Sequence, residues 1–547
     1  MAVRDHQINI IRKAGGGYVI IGIGAAASLV IIALLTIGAL LVAGDVGSGF
    51  GGTSLASIWR VALFTLWQAS LSALLSLAIA LPVARACWRR SLAWHANKLI
   101  LLSFLTVVMP TTVAVSGLLG IWGQTGLVSS ILARMGAAPL PPIYGLGAVL
   151  LAHVFFNAPL MLRVLLTVFA AIPAEQMRLA AQWGLGDWQR FRIIEWPRLR
   201  TVIPGLLALV FLLCFTSFSL ILMLGGGPAV TTLEVNIYTA LRFDFDLRMA
   251  ASLSLVQLSI CAVVVAFLAR FGTTTMSGVA PARSRRLPQR GDENPVGKAI
   301  DAFLLAGFMC LAVAPVLSVI FKGVSSHMVS IFLWPSFQRA LLATLGVAVT
   351  SGILATGVAL LMAASRVRLG PAGQWSFDLA VSLYLAVSAI VLGTGAFILL
   401  RGVVDVFLLA PVLVLMANML VALPFAYRVV QGKMALLAKT QDKLCLSLDV
   451  RGWRRFRLVT LPAMAPEIGF VAGLSAALSV GDLTVIALFG SQQFQTLPWL
   501  LYQMMARYRT GDAAALALIL LLITILIFVG FALGARWLQR SPHHAAG

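Results

Sequence analysis

Acidic side chains are scarce in this chain: 18 Asp and Glu among 547 residues, against 40 Lys and Arg. All charged residues together reach only 11%, where a soluble protein carries about 25%. Little of the chain therefore folds in water. Cysteine is sparse too. Cys87, Cys214, Cys261, Cys310 and Cys445 lie in or beside apolar runs or in a basic loop, and no two form a CxxC pair. They read as packing residues, not as a disulfide or metal framework. No G-x-x-x-x-G-K-[ST] phosphate loop occurs, so any ATP hydrolysis belongs to another polypeptide. The six histidines form no H-E-x-x-H, and no paired carboxylates gather, which leaves a membrane-embedded enzyme without a centre. No catalytic residue, metal ligand or bound cofactor is assigned to this chain.

Apolar residues are what the chain has in excess: 60% hydrophobic, with a mean hydropathy of +0.99. A helix crosses a bilayer with roughly 20 apolar residues. Twelve such runs lie near 18–44, 58–84, 98–123, 144–170, 203–224, 250–270, 299–321, 338–364, 377–400, 406–430, 465–489 and 513–536. The first is too long for a cleaved signal and reads as an anchor. The net charge of +22 could suggest nucleic acid. Its distribution argues instead for membrane topology, with no nucleic-acid partner. With the N-terminus inside, only Arg60, Arg134, Arg242, Arg248, Lys322, Arg339, Arg401, Arg507 and Arg509 fall outside, leaving 31 of the 40 basic residues inside. Cytoplasmic loops collect Lys and Arg, so both termini are expected in the cytoplasm, with the lipid bilayer as an obligatory partner.

The same polar, basic interruption occurs twice. Residues 175–204 read EQMRLAAQWGLGDWQRFRIIEWPRLRTVIP, and adding 265 reaches a second copy. Trp188, Arg190, Phe191, Arg192 and Pro197 recur as Trp453, Arg455, Phe456, Arg457 and Pro462; upstream, Pro159 and Arg163 recur as Pro424 and Arg428. An internal repeat fixes architecture before any other signal. The expectation is an all-α polytopic membrane protein of about twelve transmembrane helices in two six-helix halves, 1–270 and 299–547. A Pro-, Gly- and Arg-rich cytoplasmic linker, 271–298, joins them. An even number of spans separates the copies, so the halves are parallel and related by a pseudo-two-fold axis along the membrane normal.

Within the first copy, 177–183 reads as a short helix ended by Gly184 and Gly186. Asp187 then caps a second short helix, 188–194, and Pro197 suits a first turn. The second copy predicts the same layout: a helix over 442–448, a turn over 449–452, a helix over 453–459 and Pro462. Small Ala180 and Ala181 would let a helix sit closely in a groove. Arg190, Arg192, Arg455 and Arg457 would pair with acidic groups of a soluble partner or with lipid phosphates. A lone loop of this kind would equally suit an amphipathic helix lying on the membrane surface. Duplication at matching positions favours two docking sites for two copies of one partner.

The loop resembles the EAA motif of binding-protein-dependent ABC importer permeases: E-A-A, three residues, Gly, nine residues, I-x-L-P. Counted back from Pro197, the motif positions hold Arg178, Leu179, Ala180, Gly184, Ile194 and Trp196. From Pro462 they hold Lys443, Leu444, Cys445, Asp449, Val459 and Leu461, so the leading Glu is absent from both copies and the second Gly is Asp. Two halves fused in one chain resemble the ferric-iron and thiamine branch of that family. LLAHVFFNAPLMLRVLL (150–166), EQMRLAAQWG (175–184), LGGGPAVTTLEVNIYTAL (224–241), SVGDLTVIALFG (479–490) and FQTLPWLLYQ (494–503) are similar to permeases of bacterial thiamine importers. That resemblance implies a type I importer fold in the bacterial inner membrane. It implies coupling helices in the two loops that insert into two copies of an ATP-binding subunit, which would hold ATP and Mg. It also implies a periplasmic thiamine-binding protein docked outside.

Ionisable groups inside the membrane are costly and point to function. Asp482 is the clearest; its repeat counterpart is Ser217, so its charge breaks the symmetry and could draw a cation along the pathway, or could serve only as a hydrogen-bonded structural group. His153 and Asn418 occupy equivalent places and suit helix–helix hydrogen bonds or the pathway. Gly225, Gly226, Gly227 and Pro228 read as a gate or a plain turn. Thr232, Leu233 and Tyr238 recur as Thr496, Leu497 and Tyr502, so the outer loop is duplicated as well. Aromatic stacking on a substrate ring is possible at many of 29 Phe and 13 Trp, and none stands out. The alternatives are a ferric-iron permease, which needs a hard-oxygen environment, and an ion-coupled secondary transporter, which would leave the duplicated basic loops unexplained.

Overall fold

The computed structural model describes residues 16–44, 55–90, 106, 108–138, 141, 143–227, 230–271, 294–324, 327–450 and 452–540. Most of the expected linker 271–298, the start of the third run (98–105), Pro228, and the basic residues Arg4, Arg12, Lys13, Lys98, Arg283, Arg285, Arg286 and Arg290 lie outside the described residues. Every regular element described is helical. The chain begins with α1 (Gly16–Gly44), α2 (Leu55–Arg89), α3 (Thr111–Trp122), α4 (Leu127–Arg134), α5 (Leu146–Ala170) and α6 (Ala174–Gln182). It continues with α7 (Asp187–Arg190), α8 (Trp196–Phe215), α9 (Phe218–Leu224), α10 (Leu233–Arg242), α11 (Leu247–Phe271), α12 (Pro295–Gly323), α13 (His327–Phe332) and α14 (Pro335–Arg366). It ends with α15 (Pro371–Ala386), α16 (Ala389–Leu400), α17 (Ala410–Ser447), α18 (Gly452–Arg455), α19 (Leu461–Val480), α20 (Thr484–Phe489), α21 (Leu497–Ala506) and α22 (Thr510–Arg540).

Among the described residues, 11 helical stretches are long and apolar enough to cross a membrane, and the bent pair α15–α16 makes up to 12. Each falls on one of the twelve apolar runs, and the chain is a multi-pass membrane protein. Several helices exceed the bilayer. At 35 residues and a 1.5 Å rise, α2 is about 52 Å long, so its basic C-terminal turn projects past a hydrocarbon core of about 30 Å. Other spans are interrupted. α15 meets α16 at 91° beside Ser388, α8 gives way to α9 at Thr216–Ser217, and α19 gives way to α20 at Gly481–Leu483. Interrupted helices at membrane depth persist only where protein or a cavity covers the freed backbone groups.

The packing repeats in two sets. α2 lies along α5 and against α8; α14 lies along α17 and against α19. α8 meets α11, as α19 meets α22. α1 crosses to α14 and α16, while α12 crosses to α2 and α3. Each six-span set thus lends its first helix to the other. Small residues make the closest approaches. A Cβ on Gly352 of α14 would stand 2.9 Å from the Ala472 carbonyl oxygen of α19. Close backbone approach over small residues is how helices gain packing energy where lipid removes the hydrophobic drive.

Candidate docking loops and intramembrane polar groups

Both loops lie at the same end of the spans. In the first, Pro173 stops the descending helix, and α6 restarts with Met177 and Ala180 buried against the chain. Gly184 takes φ +63°, and the Leu185 N–H donates to the Ala180 carbonyl at 3.0 Å, the closing bond of a left-handed helix cap. α7 runs into a π turn over Phe191–Glu195, where the Trp196 N–H donates to the Phe191 carbonyl. Pro197 explains the widening: it has no N–H for Ile193, and its ring would strike that carbonyl in an ordinary helix.

The second loop keeps this geometry despite its changed residues. Asp449 takes φ +51°, and the Val450 N–H donates to the Cys445 carbonyl at 2.9 Å. A second π turn spans Phe456–Thr460, where the Leu461 N–H donates to the Phe456 carbonyl, followed by Pro462. All of this sits 265 residues after the first copy. Asp is among the residues that tolerate the left-handed region, so losing the motif glycine does not lose the turn. Gly184→Val should cost about 1–2 kcal/mol, lowering the thermal unfolding midpoint of the detergent-purified protein. Asp449→Gly should leave that midpoint within error.

Three expectations are corrected. The second copy has no separate short helix over 442–448, because α17 runs unbroken to Ser447. Asp187 does not cap α7: Gly186 holds the cap position, its N–H donates to Gln189 Oε1 at 3.0 Å, and the Asp187 carboxylate turns to arginines of α2. Arg190 and Arg455 do not face a partner or lipid. Arg190 is 3% exposed with Asp187 3.8 Å away, and Arg455 pairs with Asp442 inside its own loop. Arg192 and Arg457 are the exposed pair.

Of the residues singled out by sequence, Arg178, Ala181, Gly184, Trp188 and Asp449 are exposed, and Ile194, Pro197, Val459 and Pro462 are half-buried. Ala180 is buried in its own chain and is not free to enter a groove. The side chains of Lys443 and Trp453 lie outside the described residues. The residues that carry the surface were not singled out for that role. Leu179, Trp183 and Ile193 are 49%, 75% and 59% exposed, and their repeat partners Leu444, Leu448 and Leu458 are 60%, 65% and 50% exposed. Large apolar side chains left uncovered by the chain at matching places make these loops candidates for an interaction face. The signal was in the sequence: apolar residues persisting at one offset inside polar loops.

The first loop is also tied to the spans by charge. Arg85 Nε donates to Glu195 Oε2 at 2.8 Å, and its Nη2 donates to the Asp187 carbonyl oxygen at 2.9 Å. The Arg85 guanidinium lies 4.8 Å from the centre of the Phe191 ring. Arg89 Nη1 donates to Asp187 Oδ2 at 2.9 Å, and Arg89 and Arg90 both reach the buried Asp301 of α12. One cluster therefore joins loop, α2 and α12. At the corresponding end of α14, Arg366 binds Asp378 of α15 through two bonds of 2.8 and 2.7 Å.

Inside the membrane, the predicted polar residues join helices. His153 Nδ1 lies 2.8 Å from Gln68 Nε2 and 2.9 Å from Ser72 Oγ, linking α5 to α2. Asn418 Nδ2 donates to Ser479 Oγ at 2.8 Å, linking α17 to α19. Both oxygens of half-buried Asp482 accept backbone N–H bonds, from Thr484 at 3.0 Å and Val485 at 3.3 Å, at the start of α20. None of the three lines the cavity of about 480 Å³ at the far end of the spans, whose walls include Tyr144, Tyr502, Tyr508, Met223 and Lys322. Gly226 lines that cavity and takes φ +73°, and Gly227 takes φ +110°, so this turn demands glycine at both places. Nearby, Arg242 Nη2 donates to the Gly490 carbonyl at 2.9 Å, pinning α10 to the end of α20. Among the described residues no three His, Cys, Asp or Glu side chains gather to hold a metal ion.

No family model matches the chain. Curated relatives do. The thiamine transport system permease protein ThiP of Brucella abortus (strain 2308) is 38% identical over 499 residues, covering 90% of this chain and 91% of that protein. The protein of the same name from Salmonella typhimurium (strain LT2) is 36% identical over 517 residues, covering 94% and 96%. That of Escherichia coli (strain K12) is 37% identical over 476 residues, covering 86% and 88%. Identity at this level along nearly the whole length carries the spans and both loops together, and the chain belongs to the family of thiamine transport system permease proteins.

Proposed function

We propose that this chain is the membrane-spanning subunit of an ATP-driven importer that moves thiamine, or its phosphate esters, from periplasm to cytoplasm across the bacterial inner membrane. The halves 1–270 and 299–547 form one pathway, with both termini in the cytoplasm. Each loop docks on one of two copies of an ATP-binding subunit, which holds ATP and Mg. A periplasmic thiamine-binding protein delivers cargo at the opposite end. ATP binding closes the two subunits, the loops follow, and the halves rock between outward- and inward-open states. The energy comes from nucleotide binding the two states unequally.

The observation that carries this reading is the matched exposure of Leu179, Trp183 and Ile193 with Leu444, Leu448 and Leu458 at one end of the spans. Two equivalent apolar faces call for two equivalent partners. Purifying the chain from a membrane that also holds its candidate ATPase tests it. Native mass spectrometry should give one permease to two ATPases, and a permease recovered without ATPase contradicts the reading.

A further inference from the structure

The pathway carboxylate is not the one that the sequence points to. Asp482 spends both oxygens on backbone N–H groups. A second acid, Glu234, at the second position of α10, is 1% exposed. Gln257 of α11 donates from Nε2 to Glu234 Oε1 at 2.7 Å and to Ser388 Oγ at 3.0 Å, where α15 bends into α16. Among the described residues Glu234 Oε2 and Gln257 Oε1 accept no hydrogen bond, although the Ser388 hydroxyl lies beside Glu234. Two buried acceptors, one of them on a carboxylate, are thus left open between α10–α11 and α16. An unmade hydrogen bond to a buried acceptor is costly, and such a group persists where function keeps it.

The fold does not need that carboxylate. α10 and α21 are twins. The Leu233 N–H donates to Thr65 Oγ1 at 3.1 Å, and the Leu497 N–H donates to Thr344 Oγ1 at 2.9 Å. At the next position one twin has Glu234 and the other Pro498, and both helices form. The acid also lies where interrupted helices meet, the usual place for a transporter's site. α10 packs on α16 and α20 of the other half, so the site is covered from both halves.

We infer that Glu234 Oε2 and Gln257 Oε1 form a transient binding site for a cationic, hydrogen-bond-donating cargo in transit between the halves. The inference rests on the proposed import of thiamine, whose thiazolium supplies the charge and whose aminopyrimidine supplies the donor. The two open atoms are both acceptors, which favours a cationic donor over an anion.

Uptake of radiolabelled thiamine by the complete three-component system tests it, with wild type, Glu234→Gln and the swap Glu234→Gln/Gln257→Glu side by side. Loss of one charge-assisted contact at a buried site should slow Glu234→Gln uptake by about 10- to 100-fold. Co-purification of the ATPase and ATP hydrolysis stimulated by the binding protein should persist. The swap, which returns one negative charge to the same pair, should recover at least about a third of wild-type uptake. Wild-type rates in assembled Glu234→Gln overturn the site. So does a swap that assembles yet stays as slow as the single variant. If Glu234→Gln fails to assemble, the swap alone decides by the same criterion. Absent wild-type uptake overturns the thiamine reading itself, which separates the two failures.

Discussion

Trp183→Asp combined with Leu448→Asp should strip the ATPase from the complex and reduce thiamine uptake by at least about 100-fold. The two side chains are 75% and 65% exposed in the isolated chain and sit at equivalent points of the two loops. Buried at the centre of an interface, a large apolar anchor is worth about 2 kcal/mol or more, roughly 30-fold in affinity per site. A carboxylate in its place adds the cost of burying an unpaired charge. The loops are far apart in sequence and share no partner side chain, so their effects should add. Either substitution alone should leave a complex with one weakened arm, seen as partial loss of ATPase on size exclusion. If the loops merely rest on lipid, both subunits stay bound in the double variant.

Arg85→Leu should be the most damaging single change at the loop end of the spans. Glu195 is 1% exposed, and Arg85 meets it at 2.8 Å while also holding Asp187 and lying against Phe191. Removing one partner of a buried ion pair costs about 3–5 kcal/mol, because the other charge stays buried without compensation. Arg85→Leu should therefore lower the thermal unfolding midpoint sharply and leave the first loop tied to α2 only through Arg89 and Asp187. Glu195→Leu added to it should restore much of the loss, because no buried charge then remains. An additive double-variant cycle would show that the two residues are not coupled. Arg366→Leu should affect α15 through Asp378 and leave docking intact.

How much of this could be read in advance varied with the kind of residue. The spans were legible because lipid demands long apolar helices and permits little else. The interruptions were not, since a run such as 377–400 is apolar on both sides of the 91° bend. The duplication showed at once, yet equal treatment of the two loops went too far. Pro173 breaks the chain before α6, whereas its counterpart, Ala438, lets α17 run on to Ser447, 38 residues in all. That difference was written in one residue. Asp449 looked like damage to the motif, and its φ of +51° shows that backbone shape, not residue identity, is what the position needs. Glu234 went unnoticed because its partners are far apart in sequence: Gln257 is 23 positions away, and Ser388 is 131 positions beyond Gln257. Only packing brings them together.

Uptake of radiolabelled thiamine decides the central claim most directly, in cells without their own importer, supplied with this chain alone or with its candidate ATPase and periplasmic binding protein. Uptake should appear only when all three are present and should vanish with a hydrolysis-dead ATPase. Full uptake from the chain alone, or none from a complex shown to assemble, would contradict the account.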